Sequence, residues 1–347
     1  MLVANGLPVK GGAYTVIQRL KSTQWGTISF YLVLFALFAG AALYSARNVI
    51  NRPWTAWNWD GVTTIGNKIY VLGGQNKYGD GERLDEVLEI DLPRRTLDVV
   101  THLPSPRYCV SAVALDGRIY ALAGSDGNQY RDEVLEIDPR TRDVRLIGRL
   151  PSPRTYGGAA AVSGKLYYIG GWDGERCLDE IVEIDPVTGE TRIVEHLPSP
   201  REFLVAVARG DCVYTLGGED SQGRLLDEVV VFAPKSGEIL EICHLPSPRA
   251  RAAATALDGD LFLFGGWNGK PMDEIVRIKL TSQGITAEVI GFLPEPAADR
   301  VAVTVGEKFY LVGGADAGFK RQIAVLEIDP QATEMSAMRF RGTWLPW

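Results

Sequence analysis

Histidine is nearly missing from this chain of 347 residues, with three copies against 43 acidic and 36 basic side chains. His102, His196 and His244 each stand five residues before an arginine of a recurring segment. They therefore occupy equivalent places in separate copies, and cannot meet around one metal ion with ligand distances near ~2 Å. None is left to act as a general base beside a serine or cysteine. Cysteine is scarce as well: Cys109, Cys177, Cys212 and Cys243 include no Cys-x-x-Cys pair, which argues against structural zinc. Free buried thiols are expected, although an exported domain could oxidise them. A phosphate-cradling glycine loop followed by lysine and a hydroxyl residue is also absent, so nucleotide hydrolysis is not indicated. No metal and no cofactor is expected.

Charge is absent from Trp25 to Ala46, a run rich in Leu, Phe and Ala. That length is enough for a helix across the roughly 30 Å hydrocarbon layer. Lys10, Arg19 and Lys21 precede it without any acid. The expected layout is a short basic cytoplasmic segment (1–24), a transmembrane signal anchor (25–46), a linker (47–56) and an extracytoplasmic domain (57–347). Arg47 and Arg52 follow the run and soften the bias. The alternative is a cleaved signal peptide with a small-residue site at Ala39-Gly40-Ala41. Against it, the leading segment is long and the apolar run exceeds the usual length of about 7–15 residues. Removing the first 46 residues takes away three bases and no acid, so the net charge goes from −7 to −10. Such an acidic domain is a poor match to a nucleic acid backbone.

What the chain has in abundance is glycine in pairs. The second glycine falls at Gly74, Gly124, Gly171, Gly218, Gly266 and Gly314, with Ala123 replacing the first glycine once. Self-similarity at a fixed period decides architecture before any single residue does. Tyr or Phe stands three residues before the pair, and in four copies an arginine stands sixteen before it. This pattern resembles the kelch repeat, and six copies imply an all-β, six-bladed kelch-type β-propeller preceded by one N-terminal transmembrane helix. One departure is the tryptophan that strand four of the family repeat usually carries, replaced here by Val99, Val144 and Ile193.

Alternation and turn chemistry divide each repeat into strands a to d. In blade two they are Val110–Leu115, Arg118–Ala123, Glu133–Ile137 and Val144–Ile147, with Asp116-Gly117 turning the first hairpin. Strand a is rich in small residues, as in Gly157 to Ala161, which suits innermost strands converging on an axis. The tryptophans Trp344 and Trp347 are expected to meet Trp54, Trp57 and Trp59 where the ring closes, with lipid contact as the rival reading.

Because strands alternate in direction, the d-to-a and b-to-c loops share one face. The first loops carry Arg107, Arg154, Arg201 and Arg249 at one repeat position, and the second carry Trp172 and Trp267. Four guanidiniums and two aromatic faces around a mouth suit a carboxylate or an acidic peptide. The competing reading is structural, with the recurring Asp-Glu pairs as local partners of the arginines. Positions that differ between blades are more informative. Two residues after the motif arginine stand Cys109, Tyr156, Phe203 and Arg251, with Asp299 and Trp59 at the aligned places, and blade six exchanges its arginine for Ala297 while gaining Arg300. Specificity is expected in Tyr156, Phe203, Arg251, Asp299 and Arg300, with Glu202 nearby.

Two functions fit. One is a membrane-anchored, non-catalytic interaction module that binds a protein or an anionic glycan or peptide on the arginine-rich mouth. The other is a sugar mutarotase or epimerase, since exported six-bladed kelch proteins that interconvert sialic acid anomers are similar in blade count and export. That resemblance implies a carboxylate or similar base with arginine holding the acid group, and repeat position alone makes Glu202 or Asp299 the acid/base candidates and Arg201, Arg251 or Arg300 the carboxylate clamps. The copper site of kelch-type oxidases, with histidine and tyrosine ligands, has no match. If residues 25–46 are a retained anchor, alkaline carbonate extraction leaves the full-length chain in the membrane pellet. A shortened, extractable product would overturn the anchor in favour of the cleaved signal.

Overall fold

The computed structural model describes residues 61–75, 82–281, 284–315, 324–330 and 338–341. The expected anchor, the linker and the five tryptophans near the termini lie outside them. Six four-stranded sheets form, each from four consecutive antiparallel strands in chain order. This is the six-bladed, all-β propeller. Among the described residues no helix is long and apolar enough to cross a membrane.

The innermost strands are Gly61–Ile65, Ser111–Leu115, Gly158–Val162, Val205–Arg209, Ala253–Leu257 and Ala298–Val305. Each contacts its counterparts in the two neighbouring blades, and the first contacts the sixth, so the ring is closed by packing. The approach is tight. A Cβ added to Gly61 would sit 2.8 Å from the Cβ of Ala112, and one added to Gly158 would sit 2.7 Å from that of Ala206. The small residues of strand a are thus required by convergence on the axis.

Between each pair of adjacent blades lies one apolar cluster. Ile69, Val71, Leu88 and Ile90 of blade one meet Val303, Val305, Tyr310 and Val312 of blade six in one of them. Phe262 and Phe264 meet Phe309 in another, with ring centroids 4.7 and 5.2 Å apart. Strands c and d slip register in each of blades one to five, as between Ile181 and Val182, and twice in blade two. Such bulges increase local twist, which lets a sheet fan outward from the axis. In blade two, strand d runs from Val144 to Arg154, past the expected end at Ile147.

The four repeat arginines bind the blades together. Arg201 donates its backbone N–H to Leu178 O, and its carbonyl accepts from Gly171 N, both in blade three. Its side chain reaches into blade four, to Gly217 O at 3.2 Å and to Glu228. Arg249 repeats this one blade on, with Gly265 O at 3.2 Å and Glu274 at 2.5 Å. Arg107 and Arg154 pair with Glu133 and Glu180, each at 2.7 Å. In all four, Nη2 also donates to the serine hydroxyl two residues earlier. These guanidiniums are at most 1% exposed.

The bridge explains the glycine pair. A Cβ on Gly217 would lie 2.3 Å from Arg249 O, and φ is +59°. Only glycine meets both demands easily.

Losing one partner of a buried pair strands the other, at about 3 kcal/mol or more. Arg201→Ala is therefore expected to lower unfolding free energy by about 3 kcal/mol, read by denaturant titration. Adding Glu228→Ala should cost less than the sum of the two single changes. Strict additivity would show that the pair is not coupled.

Candidate functional site

Of the two readings of the four repeat arginines, as ligands around a mouth or as structural partners of the Asp-Glu pairs, their burial between blades on glutamates fits the structural one. The site lies two residues further on. Cys109, Tyr156, Phe203, Arg251 and Asp299 all adopt positive φ, between 52° and 58°. For non-glycine residues this left-handed conformation costs roughly 1–2 kcal/mol each. An inter-blade chain of peptide hydrogen bonds offsets it. Phe203 N donates to Tyr156 O at 2.8 Å, Arg251 N to Phe203 O at 2.9 Å, and Asp299 N to Arg251 O at 3.0 Å. The left-handed turn aims N–H and C=O along the circumference, and it leaves the side chains at the axis.

There they touch in sequence. The Tyr156 and Phe203 rings lie 4.2 Å apart. The Arg251 guanidinium stands 4.0 Å over the Phe203 ring, a cation–π contact. Its Nη1 is 3.9 Å from Asp299 Oδ2. These residues border a cavity of about 230 Å³ on the propeller axis, together with Cys109, Arg300 and the small residues of strand a. That is somewhat below the ~300–1,000 Å³ of drug-sized ligand sites. Burial raises the Tyr156 phenol well above its usual range and lowers Arg300 to about 10.

Glu202 stands beside this cavity, outside its lining. It forms a two-way backbone bridge with Glu219, 2.9 Å in each direction. Burial first, and the Glu219 charge second, push its carboxyl up to about 7, while Arg251 pulls the other way. Sequence reasoning passed over Glu219, although it follows the glycine pair at the position of Trp172 and Trp267. Those two tryptophans are half-buried and take the same bridging role, against Thr155 and Cys177 for Trp172, and Ala250 and Pro271 for Trp267. The bridges confirm that the d-to-a and b-to-c loops share a face.

The histidines are accounted for by the neighbouring acid. His102, His196 and His244 contact Asp85, Asp179 and Asp227 through Nδ1, at 3.0, 2.9 and 3.0 Å. The Asp179 hydrogen bond raises the His196 pKa. In the Asp-Glu pair, aspartate thus serves the outer strand and glutamate the buried arginine, as alternation along a strand dictates. Among the described residues no group of three or more His, Cys, Asp or Glu side chains is arranged to hold a metal ion.

The raised Glu202 carboxyl makes stability pH-dependent. Between the unfolded value near 4.5 and the folded value near 7 the native state holds a proton that the unfolded state has lost, so stability falls as pH rises through that window. Discounted for the solvent that reaches it, the effect is about 1–2 kcal/mol. Glu202→Gln should therefore stabilise the protein at pH 8 and leave it unchanged at pH 4, read as melting temperature. Equal shifts at both pH values would exclude this ionisation as the cause.

A KLHDC2/KLHL20/DRC7 Kelch-repeats domain model matches residues 55–218, and a Kelch motif model matches residues 248–282. No curated protein matches the chain. Among solved structures, that of YjhT superposes with a TM-score of 0.69 at 15% identity, covering 82% of this chain and 98% of that one. At that identity the likeness bears on fold alone. Repeat matches on both sides of the ring, together with six closed blades, make this chain a kelch-repeat β-propeller.

Proposed function

We propose that the chain is a non-catalytic interaction module that holds a protein or glycan partner, through an acidic group, at the axial mouth of its propeller. In this reading residues 25–46 anchor it, with the N-terminus cytoplasmic and the propeller extracytoplasmic. The observation that carries it is the collar: five repeat-equivalent residues share one costly backbone conformation, yet carry five different side chains around one opening. Symmetry explains the shared backbone and offers no reason for the different chemistry. Kelch propellers generally mediate protein binding. Among the described residues that border the opening, two arginines stand against one aspartate in an otherwise acidic chain, a local balance that draws anionic groups.

A sugar mutarotase is the second reading, favoured by Glu202. A carboxyl near 7 gives and takes protons at neutral pH, and Arg251 beside it suits the acid group of a sugar. Propellers host unrelated activities on one scaffold, so the site and not the fold must decide.

The test is a pull-down from solubilised membranes with the native chain and with Arg251→Ala/Arg300→Ala. Arg201 is left intact because its loss destabilises the ring. A partner held by the native chain and weakened at least about tenfold in the variant supports the module. If the variant keeps the partner, the mouth is not the binding face. Accelerated exchange between sialic acid anomers in proton NMR, lost in Glu202→Gln, would replace the module with the mutarotase.

A further inference from the structure

We propose that the outer part of blade five, where Phe292 on strand d stands beside Asp273 on strand c, is a docking point for an arginine side chain of a partner protein. Neither residue borders the axial cavity, so this point does not depend on what the mouth binds.

In each of blades one to four, a basic side chain near the end of strand d meets the aspartate of its own blade. His102, His196 and His244 stand 3.0, 2.9 and 3.0 Å from Asp85, Asp179 and Asp227, and Arg149 donates Nη1–H to Asp132 at 2.5 Å. Blade five keeps this frame and changes the side chain. Phe292 pairs with Glu274 as His102, Arg149, His196 and His244 pair with the matching glutamates of their blades. Leu293 N donates to Asp273 O at 2.6 Å, against 2.6, 2.7 and 2.7 Å for the same bond in blades one, three and four. The phenyl ring and the carboxylate therefore leave the backbone where a basic group and its aspartate meet in the other blades.

The result is an aspartate without the partner that its equivalents have. Among the described residues no hydrogen bond or ion pair reaches the Asp273 side chain, and Phe292, 62% exposed, makes no ring contact. Even when paired, the aspartates of blades one, three and four keep 38 to 40% of their side-chain surface exposed, so solvent reaches this position. A carboxylate and the face of a phenyl ring both attract a cation. The cation suited to this frame is one with N–H groups to donate, which a quaternary ammonium headgroup lacks. A guanidinium meets both demands. Arg149 shows that it reaches the aspartate of this frame, and Arg251, 4.0 Å over the Phe203 ring, shows that it stacks on a phenyl ring of this chain. Its planar fork can lie on the ring and give N–H groups to the carboxylate together.

The probe is a short fluorescent peptide carrying two arginines, with its citrulline counterpart as uncharged control, read by anisotropy against the full chain. The arginine peptide should bind and the citrulline peptide should not. Asp273→Asn should weaken binding at least about fivefold, and so should Phe292→His, which supplies the imidazole found in blades one, three and four, while Phe292→Tyr keeps it. Melting temperatures no lower than that of the native chain verify the folds. Glu190→Gln removes the same charge from an exposed turn of blade three and should leave binding unchanged. If it weakens binding as much as Asp273→Asn does, net charge alone holds the peptide and the docking point is overturned. Binding of phosphocholine in place of the peptide would overturn the protein partner in favour of a lipid headgroup, and binding of no probe would overturn the proposal outright. None of these results bears on the axial mouth.

Discussion

A closed ring of sheets needs something more selective than apolar contact to set one blade against the next. Here the arginine in the loop before strand a supplies it. Its backbone belongs to the preceding blade through two peptide hydrogen bonds, and its guanidinium belongs to the following blade through a glutamate and, at Arg201 and Arg249, a glycine carbonyl. A buried cation tolerates few arrangements, because each misplacement exposes it to the full cost of desolvation. The apolar clusters bring blades together, and the arginines fix their relative setting. Blade six supports this division. It loses the arginine to Ala297 and the matching glutamate to Ala324 together, and the interface it shares with blade five instead gathers Phe262, Phe264 and Phe309.

The same loop then does a second thing. Having crossed into the next blade, the chain turns left-handed at Cys109, Tyr156, Phe203, Arg251 and Asp299 before entering strand a. A net hydrogen bond of about 1 kcal/mol per blade is comparable to the conformational cost, so the collar is near balance. Because peptide groups hold it, the backbone conformation is shared by side chains of different chemistry. That separation lets one position carry a thiol, a phenol, a phenyl ring, a guanidinium and a carboxylate without disturbing the ring.

Electrostatics run in opposite senses at rim and axis. The chain carries a net charge of −7, yet among the described residues the axial opening presents two arginines to one aspartate. Burial, with the charge of Glu219 beside it, holds Glu202 partly protonated near neutrality. The mouth therefore combines a cationic wall with an adjacent proton-bearing carboxyl. This combination suits recognition of an acidic group directly, and it is also why a proton-transfer role is the natural competitor.

Much of this was legible in the sequence. The period of the glycine pairs set the number of blades, because each pair is demanded by positive φ and by the close passage of the next loop. In blade two, alternation located strands a, b and c to within two residues, and strand direction placed both loop classes on one face. Comparing equivalent positions isolated Tyr156, Phe203, Arg251 and Asp299, since residues that serve the repeat tend to recur and these differ. Tertiary structure alone decided whether each arginine faced solvent or core: its glutamate lies some twenty-five residues away in sequence, and only ring closure brings the two into register. It also decided the left-handed collar, because phenylalanine and arginine give no local sign of positive φ. The contact order Tyr156, Phe203, Arg251, Asp299, and the placing of Glu202 beside the cavity against Glu219, follow from the distance between neighbouring blades at the axis, a quantity that the spacing along the chain does not contain.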